Sequence, residues 1–264
     1  MSESDRKTTP YAYVFNNPLI FIDPDGMFGD YYNSSGKWLG TDHKEDDKAY
    51  VAAEGSYSKN NENGYDIKKS GITELAVLNS ELMQLASTSY GESNTSNVKE
   101  EVYGIASAII NNKEARGADA TISSTIKGFA FAATDGNSRT NEFNNTIAGG
   151  RNWTFMQTAI GGAINALMGG TDYSNGATHW AGLDIGSNAK KRSTGGLLFT
   201  DPAHDMQNLG SKMIKGAPIT TYWEPAPKIR GSYSYRWETT SAHGGTTFMK
   251  KTSSFIGASG ERRY

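Results

Sequence analysis

The chain has 264 residues, a formal net charge of −2 and a hydrophobic content of 36%, enough for one large domain or one medium domain with a tail. This near-neutral charge gives no general basic field for a nucleic-acid backbone, and the absence of cysteine excludes disulfides, thiol nucleophiles and cysteine-ligated zinc. No apolar run approaches the roughly 18 residues that a membrane-spanning helix needs, so we expect no membrane span.

Residues 11–26 form the first informative segment. Two short apolar or aromatic runs are separated by an Asn-Asn-Pro turn and followed by an Asp-Pro-Asp-Gly turn, a pattern that predicts two strands joined by turns. The segment resembles the end of the Rhs-repeat-associated core, which has the form Tyr-x-Tyr-x-x-Asn-Asn-Pro-Leu-x-x-x-Asp-Pro-x-Gly.

The Rhs resemblance implies that residues 1–27 are the C-terminal remnant of such a core and that a toxin domain follows. It also implies two partners, a cognate immunity protein and an Rhs shell or secretion apparatus. Because the N-terminus lacks the apolar segment of a cleaved signal peptide, we expect secretion by a specialised system and action in the periplasm or cell wall of a target cell.

Residues 28–70 are rich in Gly, Asn, Asp and Lys, a composition that predicts a linker or loosely packed arm. Asp42, Asp46 and Asp47 form no recognisable calcium loop, and we interpret them as solvated charges.

Two helices are predicted next. Leu75, Leu78, Leu82 and Leu85 recur at helical spacing, and so do Val98, Val102, Ile105, Ala106 and Ile109. Asn97 and Glu100 predict a capping box at the start of the second helix. Glu92 lies in the polar break between the two helices. Burial of a carboxyl group disfavours its charged form, as a general acid working near neutral pH requires.

A third helix is predicted from about Trp153 to Met168, where Gly169-Gly170 ends it. Residues 121–129 are a short apolar piece, and residues 136–151 are expected to be irregular.

The segment 171–184 then places aromatic rings, a histidine and two aspartates in a stretch interrupted by glycines. Aromatic rings backed by hydrogen-bonding side chains suit carbohydrate.

The order of these features resembles the cell-wall hydrolase family of the spore-cortex-lytic type. That family has Gly-Glu-Ala where this chain has Gly91-Glu92-Ser93, and Leu-Asn-Arg where it has Ile110-Asn111-Asn112. A later Gly-Gly-Ala-aromatic segment matches Asn175-Gly176-Ala177, with Trp180 a little displaced. The resemblance spans roughly residues 75–214 and implies a lysozyme-like fold that cleaves the glycan strands of peptidoglycan without a cofactor.

The resemblance implies that Glu92 is the catalytic acid and base. A hydrolase would need a second carboxylate, for which Asp172 and Asp184 are the candidates, although Asp172 is equally a candidate turn or cap residue. A lytic transglycosylase would instead use the 6-hydroxyl of muramic acid. The candidates for binding substrate are Tyr90, Ser93, Asn111, Tyr173, Ser174, His179 and Trp180, whose aromatic members are equally plausible core residues.

We therefore expect a mainly α fold, with a lysozyme-like peptidoglycan-cleaving domain over residues 71–216 and a small β-rich appendage over residues 217–264. The expected activity is that of a muramidase or lytic transglycosylase toxin. One alternative is a metal-dependent nuclease toxin using His179 with Asp184 and His204, although the four histidines show no metal-ligand spacing. The other alternative is a non-catalytic module that binds the cell wall.

Overall fold

The computed structural model describes residues 29–41, 44, 46–61, 64–130, 137–145, 153–182, 219–223, 228–233 and 235–261. Within these ranges lie eleven strands and six helices. The Rhs-like segment, Asp42, His43, Asp184 and His204 lie outside the described residues.

Six strands begin the described chain: β1 (Asp30–Asn33), β2 (Trp38–Thr41), β3 (Lys48–Ala52), β4 (Tyr57–Lys59), β5 (Tyr65–Ile67) and β6 (Ile72–Leu78). Strands β4 and β5 form a small separate hairpin. The four-stranded sheet has the order β2-β1-β3-β6, in which β1 and β3 are parallel and the other pairs antiparallel. The prediction of a linker over residues 28–70 is therefore wrong.

Alternation along the strands buries one face of this sheet. Tyr32, Ala49, Val51 and Leu75 are buried in the main core, while Tyr31 and Tyr50 on the intervening positions are partly exposed. Leu75 and Leu78 were predicted to begin a helix but lie in β6, where Leu75 is buried and Leu78 is 49% exposed. The β-branched residues around them favour a strand, and the three-residue spacing puts the two leucines on opposite faces.

The helical part follows the sheet directly. Its members are α1 (Asn79–Glu92), α2 (Lys99–Arg116), α3 (Ile122–Phe129), α4 (Ser138–Asn145) and α5 (Trp153–Leu167). The second and third predicted helices are confirmed as α2 and α5. The predicted Asn97 cap is wrong, because Val98 is the N-cap residue and makes no side-chain cap hydrogen bond, while Asn97 has a φ of 57°. Helix α4 lies where irregular chain was expected.

Helix α5 crosses its neighbours closely because it carries two adjacent glycines. A Cβ at Gly161 would lie 2.7 Å from the Ser35 backbone and 2.8 Å from the Tyr103 hydroxyl, and one at Gly162 would lie 3.0 Å from the Tyr103 ring. Helix α2 and the turn that joins β1 to β2 both pack on this surface. The small residues of the third predicted helix had suggested such close packing.

The remaining elements are β7 (His179–Gly182), β8 (Ile219–Trp223), β9 (Lys228–Tyr233), β10 (Trp237–His243), β11 (Thr246–Lys251) and α6 (Ser253–Ser259). Strands β8 and β9 form a hairpin, and β10-β11-β7 form an antiparallel sheet. Strand β7 comes from the middle of the chain, and Phe248 of β11 belongs to the main core. Strands β10 and β11 are thus part of the body of the protein.

The mainly α, lysozyme-like fold with a β appendage was therefore the wrong expectation. The described residues form a mixed α+β structure in which sheets lie before, within and after the helices. None of the described helices is both long enough and apolar enough to cross a membrane.

Candidate active site

Glu92 is the last residue of α1, and the packing of that helix fixes its position. Leu82, Leu85 and Ala86 of α1 are fully buried, and the helix packs against both α2 and α5. Glu92 itself is half-buried. The following residue, Ser93, is buried and donates a hydrogen bond to the carbonyl oxygen of Tyr90. The backbone on both sides of the carboxylate is therefore held in place.

A strand from a distant part of the chain reaches this carboxylate. The indole Nε1 of Trp180, in β7, donates a hydrogen bond of 3.3 Å to Oε2 of Glu92. Trp180 is partly buried and packs on the main core. The pair joins the two segments that the sequence singled out separately, and it places an aromatic ring beside a half-buried carboxylate.

Helix α4 closes the other side of the α1 terminus. Arg139 donates to the Tyr90 carbonyl oxygen through Nε at 3.1 Å and to the Ser93 hydroxyl through Nη2 at 3.2 Å. Its guanidinium carbon also lies 4.3 Å from the centroid of the Tyr90 ring. A cation at the C-terminal end of a helix is favourable because the last carbonyl groups carry partial negative charge. Arg139 was not among the predicted site residues, because residues 136–151 were expected to be irregular.

Tyr90 was predicted to bind substrate, but its side chain is fully buried. The ring packs between Phe143 and Phe155 at centroid distances of 5.8 and 6.0 Å, and its hydroxyl donates to Glu142. The structure therefore places Tyr90 in the core beneath the end of α1. Ser93, another predicted contact, is only 5% exposed and is engaged by Arg139.

Glu101 was also missed, although it is a fully buried carboxylate. It accepts hydrogen bonds from the Asn94 amide at 3.2 Å, the Gly245 amide at 3.1 Å and the Thr246 hydroxyl at 2.7 Å. These bonds join the loop after Glu92 to the β10–β11 turn. The available signal was its position one turn before Ile105 on the buried stripe of α2.

Asp172 lies in a second polar cluster, with Asn111 and Ser174. Its carboxylate accepts from the backbone amides of Ser174 and Gly176, both at 2.8 Å, from the Ser174 hydroxyl at 2.6 Å and from Asn111 Nδ2 at 3.0 Å. Partial desolvation of its carboxyl group raises the pKa of Asp172, but the hydrogen bonds from Ser174, Asn111 and Gly176 outweigh this effect and lower it. This geometry is that of a turn residue, which was one of the two alternatives for Asp172.

The same cluster ties the end of α2 to the start of β7. Asn111 also donates to the Ala177 carbonyl oxygen, and Asn112 donates to that of Thr178. Asn111 and Gly176 line a cleft of about 500 Å³, together with Lys250 and other residues, and Glu92 is not among the lining residues. The structure thus separates the predicted site residues into two groups.

His179 lies on the opposite face of its sheet from Trp180, because successive side chains in a strand alternate. Its ring lies 4.6 Å from that of Trp237, and its Nδ1 is 2.9 Å from the Thr178 hydroxyl. Burial lowers the pKa of His179 to about 3, with further lowering by Lys251, Arg236 and Arg116. His179 is therefore neutral at pH 7 and is not brought to Glu92.

Tyr173 is half-buried, and its ring makes edge contacts with Tyr103 and His243 at centroid distances of 5.6 and 6.2 Å. The structure thus brings Glu92, Ser93 and Trp180 together, and groups Asn111, Asp172 and Ser174 elsewhere.

Among the described residues, no group of three or more histidine, aspartate or glutamate side chains could hold a metal ion. Comparison of the chain with protein-family models, curated proteins and solved structures found no significant match.

Proposed function

We propose that the protein cleaves the glycan backbone of bacterial peptidoglycan, with Glu92 as its general acid and base. The observation that carries this proposal is the hydrogen bond from Trp180 to Glu92. This bond places the indole ring of Trp180 beside the half-buried carboxylate of Glu92, at the packed end of α1. These are the two groups needed to protonate a glycosidic oxygen and to contact the apolar face of a sugar ring.

In the first step, the Glu92 carboxylic acid gives its proton to the oxygen of the leaving sugar while the C1–O bond breaks. The remaining sugar develops oxocarbenium character. In the transglycosylase route, the 6-hydroxyl of the same muramic acid attacks C1 and returns its proton to the Glu92 carboxylate. The product is an anhydro sugar, no water is consumed and the acid is regenerated.

The hydrogen bonding of Asp172 makes this residue a poor candidate for the second carboxylate of a hydrolase. A hydrolase requires a second carboxylate to act as a nucleophile or to activate water. The Asp172 oxygens accept four hydrogen bonds from its turn and from Asn111. The transglycosylase route needs Glu92 alone, and it is the route we propose.

The biological setting of the proposal rests on the Rhs-like segment at residues 11–26. In this setting, the protein is an antibacterial effector that a specialised system delivers to the cell wall or periplasm of a competitor. A cognate immunity protein would protect the producing cell by covering Glu92.

The test is mass spectrometry of fragments released from purified sacculi. The wild type is expected to release anhydro-muropeptides, and Glu92→Gln is expected to release none above background. Glu100→Gln is the matched control, since Glu100 is an exposed carboxylate on the next helix. Reducing-end products would replace the transglycosylase route with hydrolysis. Equal release by wild type and Glu92→Gln, or no release by wild type, would overturn the proposal.

A further inference from the structure

Glu101 lies between the two parts of the chain that meet at the candidate active site. Its Oε2 accepts a hydrogen bond of 3.2 Å from the backbone amide of Asn94, two residues after Glu92. Its Oε1 accepts from the Gly245 amide at 3.1 Å and from the Thr246 hydroxyl at 2.7 Å. One carboxylate thus joins the loop that follows α1 to the turn between β10 and β11.

The bonds of Glu101 are needed because the residue is fully buried. Burying a carboxylate is costly unless hydrogen bonds or ion pairs compensate it. Among the described residues, no lysine, arginine or histidine forms an ion pair with Glu101. Its three neutral donors therefore supply the compensation, and the loss of one would leave part of the carboxylate unsatisfied. A group bonded in this way fixes the distance between the two segments that it joins.

Helix α2 also holds strand β11 one turn after Glu101. Gly104 lies three residues further on and therefore on the same face of the helix. A Cβ at Gly104 would lie 2.6 Å from Cζ of Phe248, so the glycine allows this ring to approach the helix. Phe248 and Thr246 point to the same side of β11, because alternate side chains in a strand share a face. Strand β11 is thus packed on α2 at two successive residues of that face.

Strand β11 in turn carries the strand of the indole donor. Phe248 of β11 pairs with Trp180 of β7 in the antiparallel register of the two strands, and Trp180 donates to Glu92. One oxygen of Glu101 therefore holds the strand pair that carries the donor. Its other oxygen holds the loop that follows the acceptor.

The turn between β10 and β11 approaches this carboxylate closely because it contains two glycines. Gly244 has a φ of +56°, a conformation that L side chains rarely adopt, and a Cβ there would lie 2.5 Å from Oε2 of Glu101. A Cβ at Gly245 would lie 2.5 Å from Nδ2 of Asn94. A larger residue at position 244 would therefore displace the turn or the carboxylate.

We propose that Glu101 is a positioning residue that sets the distance between Glu92 and Trp180. It acts through Asn94 on one side and through β11 on the other. Its effect on cleavage rests on the proposed function, whereas its effect on the hydrogen bond between Glu92 and Trp180 does not depend on any reaction. During cleavage, it would keep the proton donor and the ring that contacts the sugar at a fixed separation.

The test is the indole N–H resonance of Trp180 in proton–nitrogen NMR spectra of the full-length chain, assigned by its loss in Trp180→Phe. Its position in Glu92→Ala defines an indole without the carboxylate acceptor. Glu101→Gln offers one acceptor oxygen where two are used, and it should move the resonance towards that position. It should also slow the release of fragments from sacculi about tenfold, the scale of one lost hydrogen bond at a reacting group. Glu100→Gln changes an exposed carboxylate on the same helix and should alter neither readout.

Gly244→Ala tests the same contact without changing Glu101. Its Cβ would displace the carboxylate, so the Trp180 resonance and the rate of release should change in the same direction as in Glu101→Gln. Gly169→Ala is the matched control, because Gly169 also has a positive φ, of +66°, but a Cβ there would have no heavy atom within 4 Å. This control carries the backbone strain alone and should leave the resonance at its wild-type position.

A Trp180 resonance that stays at its wild-type position in Glu101→Gln would overturn the proposal. If that variant does not fold, the same result in Gly244→Ala would overturn it. An equal change in Gly169→Ala would also count against it, since backbone strain would then explain the effect. Movement of the resonance as expected, but without any cleavage by the wild type, would reject only the proposed function. An unmoved resonance with intact cleavage by the wild type would reject only the positioning role.

Discussion

Trp180 and Glu92 are joined by an indole-to-carboxylate hydrogen bond although 88 residues separate them in the chain. The bond connects the end of α1 to β7, and β7 is in turn held by Asn112 of α2 and by β11. A displacement of β7 would therefore move the donor away from the carboxylate.

Trp180→Phe removes the indole donor and keeps an aromatic ring on the core. We expect the rate of glycan cleavage to fall about tenfold, the size of one lost hydrogen bond to a reacting group, with little change in the free energy of unfolding. The measurement is the release of fragments from sacculi together with urea unfolding.

Trp237→Phe is the matched control for the loss of an indole. Its buried Nε1 has no hydrogen-bond partner among the described residues, so the substitution removes no bond and should leave the cleavage rate unchanged. An equal loss of rate in both variants would mean that the Trp180 donor has no special role.

Asp172→Ala is expected to destabilise the protein by about 1–2 kcal/mol, because it removes hydrogen bonds that hold its turn and Asn111. Asp172→Asn should retain most of the cleavage activity. Unfolding in urea and fragment release, measured on the same preparations, distinguish a turn residue from a catalytic one. Abolished cleavage by Asp172→Asn with unchanged stability would instead identify a second catalytic carboxylate.

Arg139→Met should weaken the attachment of α4 to the end of α1. It loses two hydrogen bonds, the contact with the Tyr90 ring and the favourable charge at the helix terminus, and we expect about 1–2 kcal/mol of destabilisation. Arg139→Lys keeps the charge but not the two-pronged geometry and should recover part of the loss. Thermal or urea unfolding gives the comparison, and equal stability of all three proteins would contradict it.

His179 gives the stability a defined pH dependence. Its folded pKa is about 3, below the ordinary value of 6.5, so between these values the unfolded chain binds the extra proton and stability falls as pH falls. From pH 7 to pH 5 the contribution is about 2 kcal/mol. His179→Gln should lose less stability than the wild type over this interval. Equal losses in urea titrations at the two pH values would show that His179 does not carry the dependence.

Periodic apolar spacing predicted α2 and α5 correctly, and the Gly169-Gly170 stop is where α5 ends. Both are long helices, and the apolar residues of their buried faces recur in the sequence at helical spacing. The same reasoning failed at Leu75 and Leu78, because two leucines three residues apart fit a helix stripe and two faces of a strand equally well. The composition of residues 28–70 was also misleading, because short strands joined by polar turns resemble a linker in composition.

The sequence by itself determined that Glu92 lies where a packed helix ends, since the leucines before it and the apolar stripe after it are local signals. Only the tertiary structure decided that Trp180 donates to it, that Arg139 fastens the backbone beside it, and that Tyr90 and His179 face elsewhere. These contacts join residues far apart in the chain. Strand pairing and helix packing set them, and a one-residue change of register in β7 would exchange Trp180 for His179 on the face that meets Glu92.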